Sequence, residues 1–295
     1  MNVLKRCNLC PKNCQVNRYE EVGYCGAGSK IKIALVSLHP YEEPFLSGNR
    51  GSGTIFFSYC NVKCIFCQNK KIRDGFGKEI TIKRFSEILL EQQERGAHNI
   101  NLVTPTHYVP LIKKGIVKAK KEGLAIPIIY NTSSYEKVST IKMMNGLVDI
   151  YLADLKYYDN KYGEKYSHVS NYFEVATKAI DEMVRQTGKC MIKNNLLQKG
   201  VVVRILLLPG LLEDSKKILS YLYDKYQDDI YISIMNQYTP LEKYRYKELN
   251  EKVDKNTYNQ FINYAIDLGI KNAFIQEGDT VDESFIPDFN LDHIF

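Results

Sequence analysis

The stretch Cys60-Asn61-Val62-Lys63-Cys64-Ile65-Phe66-Cys67 spaces three cysteines as C-x3-C-x2-C, directly after the apolar run Thr54-Ile55-Phe56-Phe57-Ser58. The next cysteine is Cys190, far along the chain. A closed iron–sulfur cubane uses four thiolates, so three leave one iron open. An open metal position is where substrate chemistry takes place. Radical chemistry with S-adenosylmethionine needs such a cluster: the cofactor's amino and carboxylate groups chelate the open iron, and an electron breaks its sulfur–carbon bond to release a 5′-deoxyadenosyl radical. The competing reading is a zinc site completed by a distant ligand, although no C-x2-C pair or H-x3-H lies nearby.

A second cysteine group precedes the first. Cys7, Cys10, Cys14 and Cys25 read C-x2-C-P-x2-C with a fourth cysteine ten residues on. Seven of the eight cysteines fall in the first 67 residues, a clustering that reads as metal binding rather than disulfides in a reducing compartment. Zinc and a second four-iron cluster both suit four thiolates, and free structural thiols are the plain alternative. Pro11, Gly23, Gly26 and Gly28 supply the turns that wrapping a metal requires. With few apolar residues, 1–30 reads as a Cys-rich segment stapled by metal, followed by one domain over 31–295.

The elements that must position these groups alternate along the chain. Strands are expected at 31–38, 99–103, 126–130, 148–154, 201–208, 230–235 and 272–276. Helices are expected at 81–95, 109–122, 135–144, 172–186, 215–226 and 254–268, several stopped by glycine. Repeated strand–helix units imply a parallel sheet with helices outside and a site at the C-terminal strand ends. The polar groups at those ends are Thr104-Pro105-Thr106-His107, Asn131-Thr132-Ser133, Asp154-Leu155-Lys156 and Asn236-Gln237-Tyr238. Arg204, inside the apolar run Val201–Leu208, is costly unless paired. Its natural partner is a carboxylate, either Asp154 or that of the cofactor's methionine. His107 reads either as a proton-transfer group or as a backbone-bonded residue in the first turn of a helix, the second being preferred. Glu42 and Glu43 carry the same ambiguity. The glycines of 47–53 read as a loop, or as backbone approaching a cofactor. Cys190 reads as an ordinary small residue.

Composition narrows the class. The 295 residues are 44% hydrophobic and 25% charged, as in a soluble globular protein. No apolar run reaches transmembrane length, and the first residues lack a signal-peptide core, so a cytoplasmic location without membrane contact is expected. The net charge of +6 comes from lysines spread along the chain and does not argue for nucleic-acid binding.

With these motifs placed, the chain resembles the radical SAM superfamily, on the C-x3-C-x2-C loop with an aromatic before its last cysteine. Within it the chain resembles the pyruvate formate-lyase activating enzyme-like group, in the uncharacterised branch with an extra N-terminal cysteine segment. That likeness rests on Cys7-Asn8-Leu9-Cys10-Pro11, Cys67-Gln68-Asn69, Asp154-Leu155-Lys156, Arg204 with Pro209-Gly210, and Gln237-Tyr238-Thr239-Pro240. The resemblance implies an α/β fold, a partial (β/α)6 barrel. It implies Cys60, Cys64 and Cys67 as ligands of a [4Fe-4S] cluster and Phe66 beside the adenine of S-adenosylmethionine. Asp154, Lys156 and Arg204 are implied near the cofactor, with Thr104 and Asn131 at neighbouring strand ends. Two departures stand out: Thr104-Pro105-Thr106-His107 replaces the group's Gly-Gly-Glu, and Tyr59 replaces the usual glycine before the first cluster cysteine.

The implied activity is an oxidoreductase that abstracts hydrogen, from a glycyl radical enzyme by analogy or from another protein, a peptide or an RNA. A flavodoxin or ferredoxin would supply electrons. Two rivals of other classes remain, a non-catalytic iron–sulfur electron carrier and a zinc-bound nucleic-acid module.

Overall fold

The computed structural model describes residues 3–276 and 287–295. In chain order the strands are β1 (Ile31–His39), β2 (Ser52–Phe57), β3 (Lys78–Ile80), β4 (Ile100–Val103), β5 (Ile128–Thr132), β6 (Ile150–Asp154), β7 (Met191–Lys193), β8 (Leu196–Leu206), β9 (Tyr231–Met235) and β10 (Ala273–Ile275). The helices are α1 (Pro44–Ser47), α2 (Lys70–Arg73), α3 (Ile82–Glu94), α4 (Val109–Lys121), α5 (Val138–Lys142), α6 (Asn160–Ser167), α7 (Tyr172–Thr187), α8 (Leu212–Tyr226) and α9 (Lys255–Asp267).

The main sheet runs β10-β9-β8-β6-β5-β4-β2-β1-β3. From β2 to β10 the neighbours are parallel, as crossover helices require. β1 and β3 extend the β2 edge with antiparallel pairing. The expected partial α/β barrel is therefore present, and its sheet is not closed. No helix among the described residues is long and apolar enough to cross a membrane.

A strap after β1 fills the floor of the open barrel. Phe45 and Leu46 are buried among Ile129, Ile150, Leu152 and Val202, and the Phe45 ring stacks on Phe274 at 4.2 Å. This apolar plug stands in for the side-chain layers that close a complete barrel. It also carries Glu42 and Glu43 inward.

Several elements differ from expectation for local reasons. The helix expected at 135–144 shrinks to α5, because Glu136 is held out of it by hydroxyls of Thr106, Thr132 and Tyr130. β7 and β8 form an unforeseen hairpin whose turn, Asn194-Asn195, has both φ angles positive at 54° and 61°. α6 was likewise not foreseen, and Asp159 caps it by accepting from Lys161 N–H. The glycines of 47–53 lie before and at the start of β2, at the end of the sheet away from the site. A Cβ on Gly53 would stand 2.9 Å from Asn99 O, so close packing, not a cofactor, demands that glycine.

Candidate active site

The C-terminal ends of the parallel strands open into one cavity of about 520 Å³, the size of small-molecule sites in general. Cys60, Cys64 and Cys67 line it, together with Phe66, Thr104 and Asn131. Asp154, Lys156 and Arg204 line it as well, so every site residue expected around the cofactor faces this one space. The carboxylates of the strap, Glu42 and Glu43, complete the polar wall.

Register explains how the ion pair forms. Asp154 on β6 and Arg204 on β8 are direct Cα partners, so their side chains share the inward face. Arg204 Nε donates to Asp154 Oδ1 at 2.8 Å, and Nη2 donates to Asn131 Oδ1 at 2.8 Å. Glu42 Oε2 lies 3.4 Å from Arg204 Nη1, while Glu42 Oε1 accepts from Asn101 Nδ2 at 2.8 Å. Lys156 Nζ donates to Asp154 Oδ2 at 2.7 Å. Of the two partners considered for Arg204, Asp154 is paired with it here, and Glu42 is an added one.

The electrostatics are those of a mixed cluster removed from water. Burial by itself would raise Asp154, but Arg204 and Lys156 together outweigh it and hold the carboxyl below its usual range. Glu42 is pushed up by burial, with Arg204 and Asn101 only partly offsetting it. Glu43 is also pushed up by burial, and its Oε2 has no partner. Burial would lower Lys156, yet Asp154 and Cys64 reverse the sign and raise it.

Donors are arranged around each of the three sulfurs. Val62 N–H points to Cys60 Sγ at 3.4 Å. Ser167 Oγ donates to Cys64 Sγ at 2.9 Å and is itself bonded to Tyr157 Oη at 2.7 Å. Asn69 N–H serves Cys67. Such bonds stabilise thiolates and tune clusters. Cys190 lies apart from them, beside Gly200 at the far end of the sheet, where it donates to Val201 O.

Tyr59 takes the place of the usual glycine with a φ of 77°. A left-handed tyrosine is strained, and room for its ring comes from elsewhere. A Cβ on Gly26 would fall 2.8 Å from Tyr59 Cδ1, and one on Gly75 would also collide with that ring. The Thr104–His107 segment divides. Thr104, with φ 58°, faces the cavity, whereas Thr106 bonds to buried Glu136 at 2.6 Å. His107 lies in a short 3-10 turn, is buried, and bonds through Nε2 to Ser58 O at 2.8 Å. Burial takes its pKa down to about 3, so it is a neutral histidine bonded to backbone. Asn101, Ser167 and Glu136 were missed; each is one polar residue in an ordinary stretch, and no local signal marks it.

The N-terminal thiols form a second group against the same end of the barrel. Cys7, Cys10 and Cys25 are buried. Arg18 fixes this segment, its guanidinium donating to Ala27 O at 3.1 Å and also to Gly28 O and His107 O. Thr140 Oγ1 donates to Leu9 O at 2.6 Å. Among the described residues, no three His, Cys, Asp or Glu side chains are placed to hold a single metal ion. A cubane differs from such an ion in taking each thiolate at a separate iron, so its ligands need not converge on one point.

Residues 54–222 match the family model of the radical SAM superfamily. The uncharacterized protein MJ0674 of Methanocaldococcus jannaschii is 32% identical over 286 residues, covering 92% of this chain and 76% of that protein. Among solved structures, Streptococcus suis SuiB bound to precursor peptide SuiA is similar at 16% identity and a TM-score of 0.52, over 75% of this chain and 47% of that one. HydG, a maturase of the [FeFe]-hydrogenase, is similar at 15% identity and a TM-score of 0.51, over 77% and 52%. The chain spans about half the length of these two structures, and at such identities the likeness is one of fold. The three-thiol loop at the strand ends, the open parallel barrel and the match over residues 54–222 agree: this chain belongs to the radical SAM superfamily.

Proposed function

We propose that this chain is a radical SAM oxidoreductase of the activating-enzyme type, with Cys60, Cys64 and Cys67 holding a [4Fe-4S] cluster. The observation that carries the reading is the convergence of these three thiols and the Arg204–Asp154–Lys156 network on one cavity. The donor set fits the group: three sulfurs, each with a hydrogen-bond donor, and no fourth cysteine lining the cavity. When bound, the cluster and S-adenosylmethionine supply reductive cleavage to a 5′-deoxyadenosyl radical.

The chain's own residues bind and orient. Arg204 and Lys156 offer cations to the carboxylate of the methionine moiety, and Glu42 and Glu43 offer carboxylates to its ammonium. The unpaired Oε2 of Glu43 supports that second role. Phe66, buried and edge-on to Tyr238 at 6.2 Å, offers a fixed aromatic surface for adenine. Thr104 and Asn131 border the same space. Apolar groups such as Phe56, Val103 and Phe274 exclude water, which strengthens each polar contact inside. A flavodoxin or ferredoxin is the proposed electron donor. The proposed hydrogen donor is a macromolecule, a glycyl radical enzyme by the likeness of Asp154-Leu155-Lys156 and Arg204 to that group's motifs.

The test is anaerobic reconstitution with iron and sulfide, reduction with dithionite, addition of S-adenosylmethionine, and measurement of 5′-deoxyadenosine. Product from the wild type and none from Cys64→Ala is the expected result. A wild type with a full iron count that forms no product, even with cell extract added, would replace this reading with the electron carrier.

A further inference from the structure

We propose that the outer face of the Cys60–Cys67 loop is the docking surface for an acidic one-electron carrier protein, centred on Tyr24, Lys63 and Ile65. The proposal rests on the function proposed above and names where the electron donor of that site binds.

The loop separates two spaces. Cys60, Val62, Cys64 and Phe66 line the large cavity. Lys63 and Ile65, the covalent neighbours of Cys64, line a second groove of about 310 Å³ on the other side. Arg73 belongs to both walls. Its Nη1 donates to Cys64 O at 2.8 Å, while Nε and Nη2 hold Asp74 at 2.8 Å each. Ile65 N–H donates to Tyr166 O at 2.9 Å, which fixes the loop from the opposite flank. An electron that arrives in the groove therefore has only the loop's own peptide units between it and the sulfur of Cys64. The cavity stays free for substrate, so donor and substrate reach the loop from different faces.

The surface has the make-up of a protein contact. Tyr24 and Ile65 give it an apolar centre, and charged side chains form its rim. Lys12, Lys63, Lys70 and Arg73 bring four positive charges, and Asp74 and Glu242 bring two negative ones. The two carboxylates are taken up by Arg73 and by Lys70, the latter at 2.6 Å. What remains to face a partner is the charge of Lys12 and Lys63. Both are held in place over one ring: Lys12 Nζ lies 4.1 Å and Lys63 Nζ 5.1 Å from the centroid of Tyr24. Lys12 Nζ also donates to His168 O at 2.6 Å, and Tyr24 Oη donates to Val62 O at 3.4 Å. A pair of fixed ammonium groups beside an exposed aromatic ring suits an acidic protein face, which such charge steers into contact. Electron-transfer contacts are small and transient, and a groove of this size is enough for one.

One electron passes in the encounter. The reduced carrier is oxidised by one, the centre held by Cys60, Cys64 and Cys67 is reduced by one, and no bond forms or breaks.

The experiment uses the full chain, reconstituted anaerobically, with an acidic flavodoxin as the probe. Lys12→Glu/Lys63→Glu is compared with Lys193→Glu/Lys199→Glu, which changes the net charge equally on exposed residues of the β7–β8 hairpin at the far end of the sheet. In calorimetric titration at low salt, the groove variant should bind flavodoxin about tenfold more weakly than wild type, and the difference should shrink as salt is raised. The hairpin variant should bind as wild type does. Carbodiimide cross-linking of the wild-type complex, read by mass spectrometry, should join Lys63 or Lys70 to flavodoxin carboxylates. Reduction of the iron centre by flavodoxin hydroquinone should slow in the groove variant, while reduction by a photoreduced deazaflavin should not. Unchanged affinity in the groove variant, an equal loss in both variants, cross-links confined to other faces, or equal slowing with both reductants would each overturn the proposal. If the double variant does not fold, Lys63→Gln takes its place and must show a weaker loss of the same salt dependence; an affinity equal to wild type overturns the proposal. Failure of the function proposed above would look different: flavodoxin binding and the cross-links would persist, with no 5′-deoxyadenosine formed.

Discussion

Replacing Arg204 with methionine removes the guanidinium that Asp154 and Glu42 share while nearly keeping the side chain's length. In the wild type it holds Asp154 at 2.8 Å and Glu42 at 3.4 Å. The side chains are only 15%, 20% and 11% exposed for Arg204, Asp154 and Glu42, so water cannot fully replace the lost partner. Breaking a buried pair by removing one member costs about 3–5 kcal/mol. Lys156 remains on Asp154, which places the expected loss near the lower end, about 3 kcal/mol. Against a usual total of about 5–15 kcal/mol, that is a large fraction. The pH dependence tests the cause. Asp154, held below its usual range, contributes stability that is present above its unfolded pKa and is lost only as pH falls through its lower folded pKa. Glu42 and Glu43, pushed up, have the opposite sign. The folded state takes their protons more readily, so their contribution worsens as pH rises from the unfolded value through the folded one. Without Arg204 both should rise further. The penalty of Arg204→Met should therefore be full at about pH 8 and smaller at about pH 5.5, because acid favours the protonated form of carboxyls that burial already pushes up. Urea unfolding of both proteins at the two pH values measures it. A penalty below about 1 kcal/mol, or one that does not change with pH, would refute the reasoning that the cluster is dry and mutually dependent.

Ser167→Ala removes the hydroxyl donor to Cys64 Sγ. If about 1 kcal/mol of a charge-assisted bond favours the reduced form, the cluster potential should fall by about 40 mV, read in a redox titration followed by paramagnetic resonance. An unchanged potential would remove Ser167 from the tuning of the site. Gly115→Ala on α4 sets two effects against each other. Alanine gains about 1 kcal/mol of helix propensity. Its Cβ, however, would fall 2.9 Å from Cε1 of buried Phe85 and closer still to Cδ1, and overpacking costs about 1–3 kcal/mol. We expect a net loss of stability in thermal unfolding; a gain would show that the α3–α4 contact yields easily.

The sequence by itself determined the parts that depend on local spacing. Cys60, Cys64 and Cys67 are close in the chain, so any compact loop brings them together. Strands and helices such as β4, α4, β6 and α7 followed from periodicity, which is a property of consecutive residues. The place of Asp154 and Lys156 at a strand end followed from the rule for parallel sheets. Arg204 in an apolar run announced that it needed a partner, because burying a lone charge is costly.

Tertiary structure decided what depends on residues far apart in the chain. Asp154 pairs with Arg204 because β6 and β8 are neighbours in register, although α6, α7 and the β7 hairpin lie between them in sequence. The strap with Glu42 and Glu43 enters the barrel because the sheet is open and its floor needs an apolar plug, and no sequence pattern encodes that demand. Ser167 reaches Cys64 from 103 residues away through the end of α6. Tyr59 could replace a glycine because Gly26 and Gly75, from two other segments, make room for its ring. In each case the deciding quantity is a distance between separate segments, which chain folding sets and local composition does not.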